Sequence, residues 1–80
     1  MTNVPDDLRE MWKQIYVLFD SNYLIENTEE AWKAYWDKAA KIYGDYAKKY
    51  PQVLDMINSA TELIEARIKY EEQHHVEKVG

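Results

Sequence analysis

Hydrophobic residues near the N-terminus of this 80-residue chain recur at steps of three and four, the spacing of one face of an α-helix. The residues on this face are Leu8, Met11, Trp12, Ile15, Leu18 and Phe19. Asn3 is the predicted N-cap, and Pro5 suits a first helical turn. Asp6 and Asp7 follow where the positive end of the helix dipole favours carboxylates. The pattern predicts a first helix over about residues 4–21.

A second periodic segment begins after Asn27, a candidate N-cap with Glu30 three residues later. Its apolar face carries most of the aromatic residues of the chain and consists of Trp32, Tyr35, Trp36, Ala39, Ile42, Tyr43, Tyr46, Ala47 and Tyr50. Pro51 disfavours helical dihedral angles in the residue before it and can itself open a helix. We therefore predict a second helix over about residues 28–49 and a short link to a third.

The third periodic segment has a wide apolar face. Its central line is formed by Val53, Ile57, Ala60 and Ile64. Its two shoulders are Leu54, Thr61 and Ile68 on one side, and Met56, Leu63 and Tyr70 on the other. This arc spans about 200°, more than one neighbouring helix covers. We predict a helix over about residues 51–72 that contacts two other helices, or one helix and a partner, followed by a polar tail over about residues 73–80.

Three amphipathic helices with short links predict an all-α fold, an antiparallel three-helix bundle in one domain over residues 1–80. The connection after the first helix contains Tyr23, Leu24 and Ile25, which are unusually apolar for a loop. We expect them to fold over the end of the bundle. Val17 lies opposite the predicted core line of the first helix, and together with Tyr16 it is expected to leave apolar surface in solvent.

Composition and charge narrow the classes of function. The chain has no cysteine, which excludes disulfides, thiolate metal sites and a cysteine nucleophile. We find no signal-peptide pattern and no apolar run of membrane-spanning length, so we expect a cytoplasmic protein without membrane association. The net charge of -5 disfavours unassisted binding to DNA or RNA, so direct nucleic-acid binding is not expected.

The segment EEQHH contains the clearest candidate for metal chemistry. Glu71 and His74, like Glu72 and His75, show the E-x-x-H spacing of carboxylate-bridged di-iron bundles. Both pairs lie on one helix end, however, and the chain has only these 2 histidines to complete a site. We interpret the segment as a solvated tail. The remaining carboxylates fall on predicted polar faces, so we expect a protein that is not an enzyme and has neither a cofactor nor a metal site.

The many tyrosines favour a role in protein binding. Most large rings are expected to build the core of so short a chain, but tyrosine hydroxyls need water or a partner, so several rings should lie at the core margin. Such rings dominate protein interfaces. The residues predicted for a partner-binding patch on the second and third helices are Tyr35, Tyr43, Tyr46, Tyr50, Met56, Leu63 and Tyr70. The expected partner is a protein, either a basic host protein or a second copy of the chain.

Charge supplies two further hypotheses. Asp6, Asp7, Glu62 and Glu65 are candidates for an acidic face that imitates a phosphate backbone and inhibits a nucleic-acid enzyme. The opposite hypothesis is direct nucleic-acid binding through the lysines of the second helix, which are Lys33, Lys38, Lys41, Lys48 and Lys49.

Residues 11–46 also carry a resemblance. The features concerned are Trp12, Tyr16, Phe19-Asp20, the run Asn27-Thr28-Glu29-Glu30-Ala31-Trp32, Trp36 and Ile42-Tyr43. With these features the segment resembles small uncharacterised helical proteins carried by prophages and integrative elements of Gram-positive bacteria. The resemblance implies a bacterial mobile-element setting, in which small acidic helical proteins often inhibit or redirect host machinery, including CRISPR nucleases.

Overall fold

The fold is a bundle of three α-helices. The computed structural model describes residues 3–79, and their side chains as far as His74. Each helix packs against the other two, and the described residues contain no strand. The helices are α1 (Asp6–Asn22), α2 (Glu29–Tyr46) and α3 (Val53–Val79). The predicted all-α three-helix fold is therefore confirmed.

Contacts at the two ends of the bundle establish the direction of each helix. At one end, Asp7 Oδ2 at the start of α1 lies 2.7 Å from Lys49 Nζ, just after α2. At the other end, the guanidinium of Arg67 in α3 lies 5.6 Å from the ring centre of Tyr23, just after α1. Helices α1 and α3 therefore run parallel, and α2 runs antiparallel to both.

The start of α1 differs from the prediction. Pro5, not Asn3, occupies the N-cap position, and no side chain caps the helix there. Pro5 accepts the first helical hydrogen bond through its carbonyl oxygen, from Arg9 N at 3.0 Å. The Oδ1 atom of Asp7 accepts a hydrogen bond from Leu8 N at 2.8 Å and so satisfies one of the unpaired donors of the first turn.

The predicted cap of α2 is wrong by one residue. Thr28 is the N-cap, and its Oγ1 accepts a hydrogen bond from Ala31 N at 3.2 Å. The side chain of Asn27 is used differently, because its Oδ1 accepts a hydrogen bond from the indole Nε1 of Trp32 at 3.0 Å. The indole donor is thereby satisfied while its ring packs against the core.

Both ends of the α2–α3 connection, and the end of α3, differ from the prediction. α2 ends at Tyr46 instead of near residue 49, and α3 begins at Val53 instead of Pro51. α3 then continues to Val79, so residues 73–79 of the predicted polar tail are helical, and Gly80 lies outside the described residues. The continuation has a local cause, because no proline or glycine interrupts residues 53–79. The last predicted turn is itself supported by an ion pair between Arg67 Nη1 and Glu71 Oε2 at 2.7 Å.

The core lies along the common axis of the three helices. It contains all four residues predicted for the central line of α3, so this prediction is confirmed. The buried hydrophobic residues are Met11, Ile15 and Leu18 of α1, Tyr35, Ala39 and Ile42 of α2, and Val53, Ile57, Ala60 and Ile64 of α3. Trp12 was predicted to face this core and does not, since 58% of its surface is exposed. It lies about 100° around α1 from Met11, beyond the strip that α2 and α3 together cover.

The apolar loop covers the end of the bundle only in part. Ile25 packs against the core, and its carbonyl oxygen accepts a hydrogen bond from Arg67 Nη2 at 3.2 Å. Leu24 is 77% exposed, and Tyr23 is also exposed. The expectation that all three residues fold over the bundle end is therefore wrong for Leu24 and Tyr23.

A buried pair of hydroxyl groups joins α2 to α3. The Tyr35 hydroxyl lies 2.7 Å from Thr61 Oγ1, and Thr61 Oγ1 in turn donates to the carbonyl oxygen of Ile57 at 2.8 Å. A threonine hydroxyl has a single hydrogen, so Tyr35 is the donor to Thr61. Burial raises the pKa of Tyr35, which keeps this phenol protonated as a donor.

This chain of hydrogen bonds predicts unequal effects of two conservative substitutions. Thr61→Val leaves the buried Tyr35 donor unpaired and should lower the free energy of unfolding by about 1–3 kcal/mol. Tyr35→Phe leaves Thr61 bonded to Ile57 and should cost only about 1 kcal/mol. Urea unfolding of both variants and of the double variant measures the difference. A larger loss for Tyr35→Phe than for Thr61→Val would contradict the assignment of donor and acceptor.

Candidate functional site

An exposed, mainly apolar surface lies between α1 and α3. A groove of about 400 Å³ separates the two helices there, and we call it the α1–α3 groove. Its lining consists of Trp12, Ile15, Tyr16, Phe19, Asp55, Met56, Ser59, Ala60 and Leu63. Ile15 and Ala60 are buried and form the floor, whereas Trp12, Tyr16 and Leu63 are each more than half exposed and form the walls.

The helical period explains why these residues meet. On α1, Trp12, Tyr16 and Phe19 are spaced by four and three residues and occupy one flank of the helix. On α3, Met56 and Leu63 are seven residues apart and occupy the shoulder that faces away from α2. Because α1 and α3 run parallel, the two flanks lie side by side along their length.

A second hollow of about 420 Å³ extends the groove toward the loop after α1. It is lined by Phe19, Asp20, Tyr23, Leu24 and Leu63, so Phe19 and Leu63 belong to both hollows. The combined apolar surface reaches from Trp12 to Leu24, a distance of roughly 18 Å at the rise of an α-helix. The charged residues in the two linings are Asp55 and Asp20, and both are acidic.

Four of the seven predicted partner-binding residues remain accessible in different places. Met56, which is half-buried, and Leu63 line the α1–α3 groove. Tyr70 is exposed farther along the same shoulder of α3, where its ring stacks on His74 with 3.7 Å between centroids. Tyr43 is exposed on α2. These residues therefore do not form the single patch on helices two and three that the sequence pattern suggested.

The other three predicted tyrosines are engaged within the fold. Tyr35 is completely buried, so its prediction as a partner-binding residue is wrong. Tyr46 is half-buried and accepts a hydrogen bond on its hydroxyl oxygen from Gln14 Nε2 at 3.0 Å. Tyr50 is half-buried and donates its hydroxyl to Asp7 Oδ1 at 2.9 Å. In these three cases the hydroxyl finds its partner inside the bundle and not on another protein.

A smaller apolar surface does exist where the sequence placed the patch. Trp36 and Tyr43 lie seven residues apart on the side of α2 away from the residues that face α1, and Leu54 lies on the adjoining shoulder of α3. All three are close to 45% exposed, and we call them the α2–α3 flank.

The sequence pattern did not assign Trp12 and Phe19 of the α1–α3 groove to a site, because their spacing also fits a core face.

The four acidic candidates do not share one face. Asp6 is exposed, but Asp7 forms an ion pair with Lys49 and a hydrogen bond with Tyr50. The hydrogen bond from Lys49 and then that from Tyr50 lower the pKa of Asp7, and the same ion pair raises the pKa of Lys49. Glu62 and Glu65 are exposed on the middle of α3, which is distant along the bundle from the start of α1.

The lysines in α2 and just after it likewise do not form a purely basic strip. Lys38 and Lys41 line a hollow of about 410 Å³ between α1 and α2, and Glu10 and Asp45 line the same hollow. Lys49 is paired with Asp7. The structure therefore places carboxylates beside the lysines, where the nucleic-acid hypothesis expected only positive charge.

Within the part of the chain that the structure describes, no three carboxylate, histidine or cysteine side chains lie close enough to hold a metal ion. His74 stacks on Tyr70, and its Nδ1 lies 2.8 Å from the carbonyl oxygen of Tyr70. The side chain of His75 lies outside the described residues. Across residues 3–79, none of the helices combines the length and apolarity that a membrane crossing requires.

Comparisons with protein-family models, curated proteins and solved structures gave no match to this chain. The α1–α3 groove and its charges are therefore the observations that bear most directly on function.

The cluster of Asp7, Lys49 and Tyr50 predicts an acid-dependent loss of stability. Because the pKa of Asp7 is lower in the folded than in the unfolded chain, its stabilising contribution is complete above the ordinary value of 3.8 and disappears as the pH falls through the folded-state pKa. Asp7→Asn should therefore lower Tm at neutral pH, and the difference from the native protein should vanish towards about pH 2.

Thermal unfolding followed by circular dichroism across this pH range tests the prediction. Asp6→Asn is the matched control, since it removes the same charge one residue away in the same helical turn. Equal Tm losses for both variants at every pH would show that the contacts of Asp7 with Lys49 and Tyr50 add no stability.

Proposed function

We propose that the protein is a non-enzymatic protein-binding module that docks a partner protein in the α1–α3 groove. The observation that supports this most strongly is the apolar surface from Trp12 to Leu24, which the bundle leaves uncovered although all three helices bury residues in its core. Exposed apolar surfaces of this extent are typical of interaction sites.

The composition of the groove walls fits a binding role. Tryptophan and tyrosine are the residues most enriched among those that dominate binding energy. Covering the exposed parts of Trp12, Tyr16 and Leu63 would contribute on the order of 2 kcal/mol each. Contributions of that size offset the translational and rotational freedom that two proteins lose on association.

The polar groups of the groove are better suited to contacts with another protein than to catalysis. Asp55 supplies a carboxylate and Ser59 and Tyr16 supply hydroxyls to the α1–α3 groove, and His74 lies near the far end of α3. A hydroxyl nucleophile needs a base within hydrogen-bonding reach, and the lining of this groove contains no histidine or lysine. An open groove with apolar walls instead suits the side chains of another protein.

The setting we propose is the cytoplasm of a bacterium and a mobile genetic element carried there. The resemblance of residues 11–46 to helical prophage proteins supports this setting. The same setting is consistent with a host protein as the partner.

The second candidate function, acidic inhibition of a nucleic-acid enzyme such as a CRISPR nuclease, has weaker support. The net charge of -5 favours it. The position of Asp7 does not, because its ion pair with Lys49 reduces the negative potential at the start of α1. Glu62 and Glu65 remain exposed, but they would have to imitate a phosphate backbone without the contribution of Asp7.

A matched pair of charge substitutions tests the proposed docking surface. Leu63→Glu places a carboxylate in the α1–α3 groove, and Leu54→Glu places one on the α2–α3 flank at a leucine of similar exposure, 46% against 57%. We expect the native protein and Leu54→Glu to retain the same proteins from a bacterial lysate. Leu63→Glu should retain about tenfold less, since a charge must be desolvated in the interface.

Circular dichroism establishes that both variants fold. Retention that depends on Leu54 and not on Leu63 would move the site to the α2–α3 flank. Retention of no protein by the native chain would contradict the proposed function.

A further inference from the structure

The α1–α3 groove has features that specify the conformation of its occupant. A bound segment must satisfy its own backbone N–H and C=O groups, because each unpaired group in an apolar site costs several kcal/mol. The lining offers few polar groups, those of Asp55, Ser59, the Tyr16 hydroxyl and the Trp12 indole N–H, and the backbone groups within both wall helices are paired internally. An extended segment would therefore lose most of its hydrogen bonds there. An α-helix would keep all of its internal ones.

The length and shape of the groove also fit a helix. The apolar surface runs roughly 18 Å between two parallel helices, which equals about three turns of a third helix lying alongside them. A helix of that length presents apolar side chains at steps of three and four along one face. These can alternate with Trp12, Tyr16 and Leu63 in the manner of ridges and grooves.

The charges at the edge of the groove specify the polar residues of the occupant. Asp55 lies near one end and Asp20 near the other, and both are exposed. Since Tyr23 lies level with Arg67, Asp20 is about nine residues along the bundle from Asp55, or roughly 13 Å. Lysine or arginine residues at that separation on a bound helix would each face a carboxylate.

A second copy of the chain fits this site less well. Its exposed apolar flanks belong to helices that are already packed in their own bundle and so are not free to lie in the groove, and it carries the same net charge of -5. In a dimer, Asp20 and Asp55 of each groove would approach the other copy, which is also negatively charged, and the repulsion would oppose association.

We propose, on the basis of the function proposed above, that the partner's contacting element is a basic amphipathic α-helix. Apolar residues at helical spacing fill the groove between α1 and α3. Lysine or arginine residues on the edges of that helix face Asp20 and Asp55.

Two designed peptides test this proposal without knowledge of the natural partner. The first has about 18 residues, with leucine at helical spacing and lysine and alanine elsewhere. The second replaces each lysine by glutamate. Fluorescence anisotropy of the labelled peptides at low salt should show at least about tenfold tighter binding of the basic peptide. The preference should fall below about threefold in Asp20→Asn/Asp55→Asn and weaken as salt screens the exposed charges.

Two leucine variants separate this inference from the proposed function. Leu63→Glu should abolish binding of the basic peptide, and Leu54→Glu should leave it unchanged. Equal affinity for both peptides, lost in Leu63→Glu, would overturn the basic partner and leave the docking groove intact. Basic-peptide binding that survives Leu63→Glu would count against both proposals.

The remaining outcomes overturn the inference alone. One is the absence of basic-peptide binding to the native protein. Another is a native dimer, seen by sedimentation equilibrium without peptide, that Leu63→Glu converts to monomers, since a second copy would then be the occupant.

Discussion

The burial of one aromatic ring, that of Tyr35, determines how the three helices pack. The ring is fully inaccessible, and the ring centres of Trp32 and Trp36 lie 5.3 and 5.2 Å from its own centre, with each ring plane at 80° to that of Tyr35. Its hydroxyl can be buried only because Thr61 accepts the hydrogen bond. α2 is therefore held against the Thr61 shoulder of α3. The opposite shoulder, with Met56 and Leu63, is left for α1 to cover.

α1 covers that opposite shoulder incompletely. Met11, Ile15 and Leu18 reach the core and pack against both other helices, so the narrow apolar face of α1 is already used. The adjoining flank, with Trp12 and Tyr16, then stands beside α3 and forms one wall of the groove instead of closing it. Because α1 does not cover the Leu63 shoulder of the wide apolar arc of α3, an apolar surface stays open between the two helices. The proposed partner helix would cover it.

The regular features of the fold could be predicted from the sequence, because they depend on periodicity. The buried line Val53, Ile57, Ala60 and Ile64 follows from helical spacing alone. Helix ends depend on single hydrogen bonds and were predicted less well. Thr28 caps α2 although Asn27 was equally suitable, and α3 continues past its expected end because no proline or glycine interrupts residues 73–79.

The location of the site could be predicted only in part. Met56 and Leu63, which were predicted for a patch on the second and third helices, line the α1–α3 groove, whereas Tyr35, predicted for the same patch, is buried. Spacing alone does not tell which of several aromatic residues on one wide face a neighbouring helix will cover. Trp12 and Tyr35 both fit a core face by periodicity, and their opposite environments depend on the position of α3 relative to each.

The most direct test of a partner in the α1–α3 groove is site-specific photo-crosslinking. A photoreactive phenylalanine analogue would replace either Tyr16, which is 63% exposed in the groove, or Tyr43, which is 44% exposed on the α2–α3 flank. After irradiation in a bacterial lysate, the groove position should form a defined adduct that unlabelled native protein competes away, and the flank position should form none. An adduct from the flank position alone, or equal adducts from both, would contradict the account.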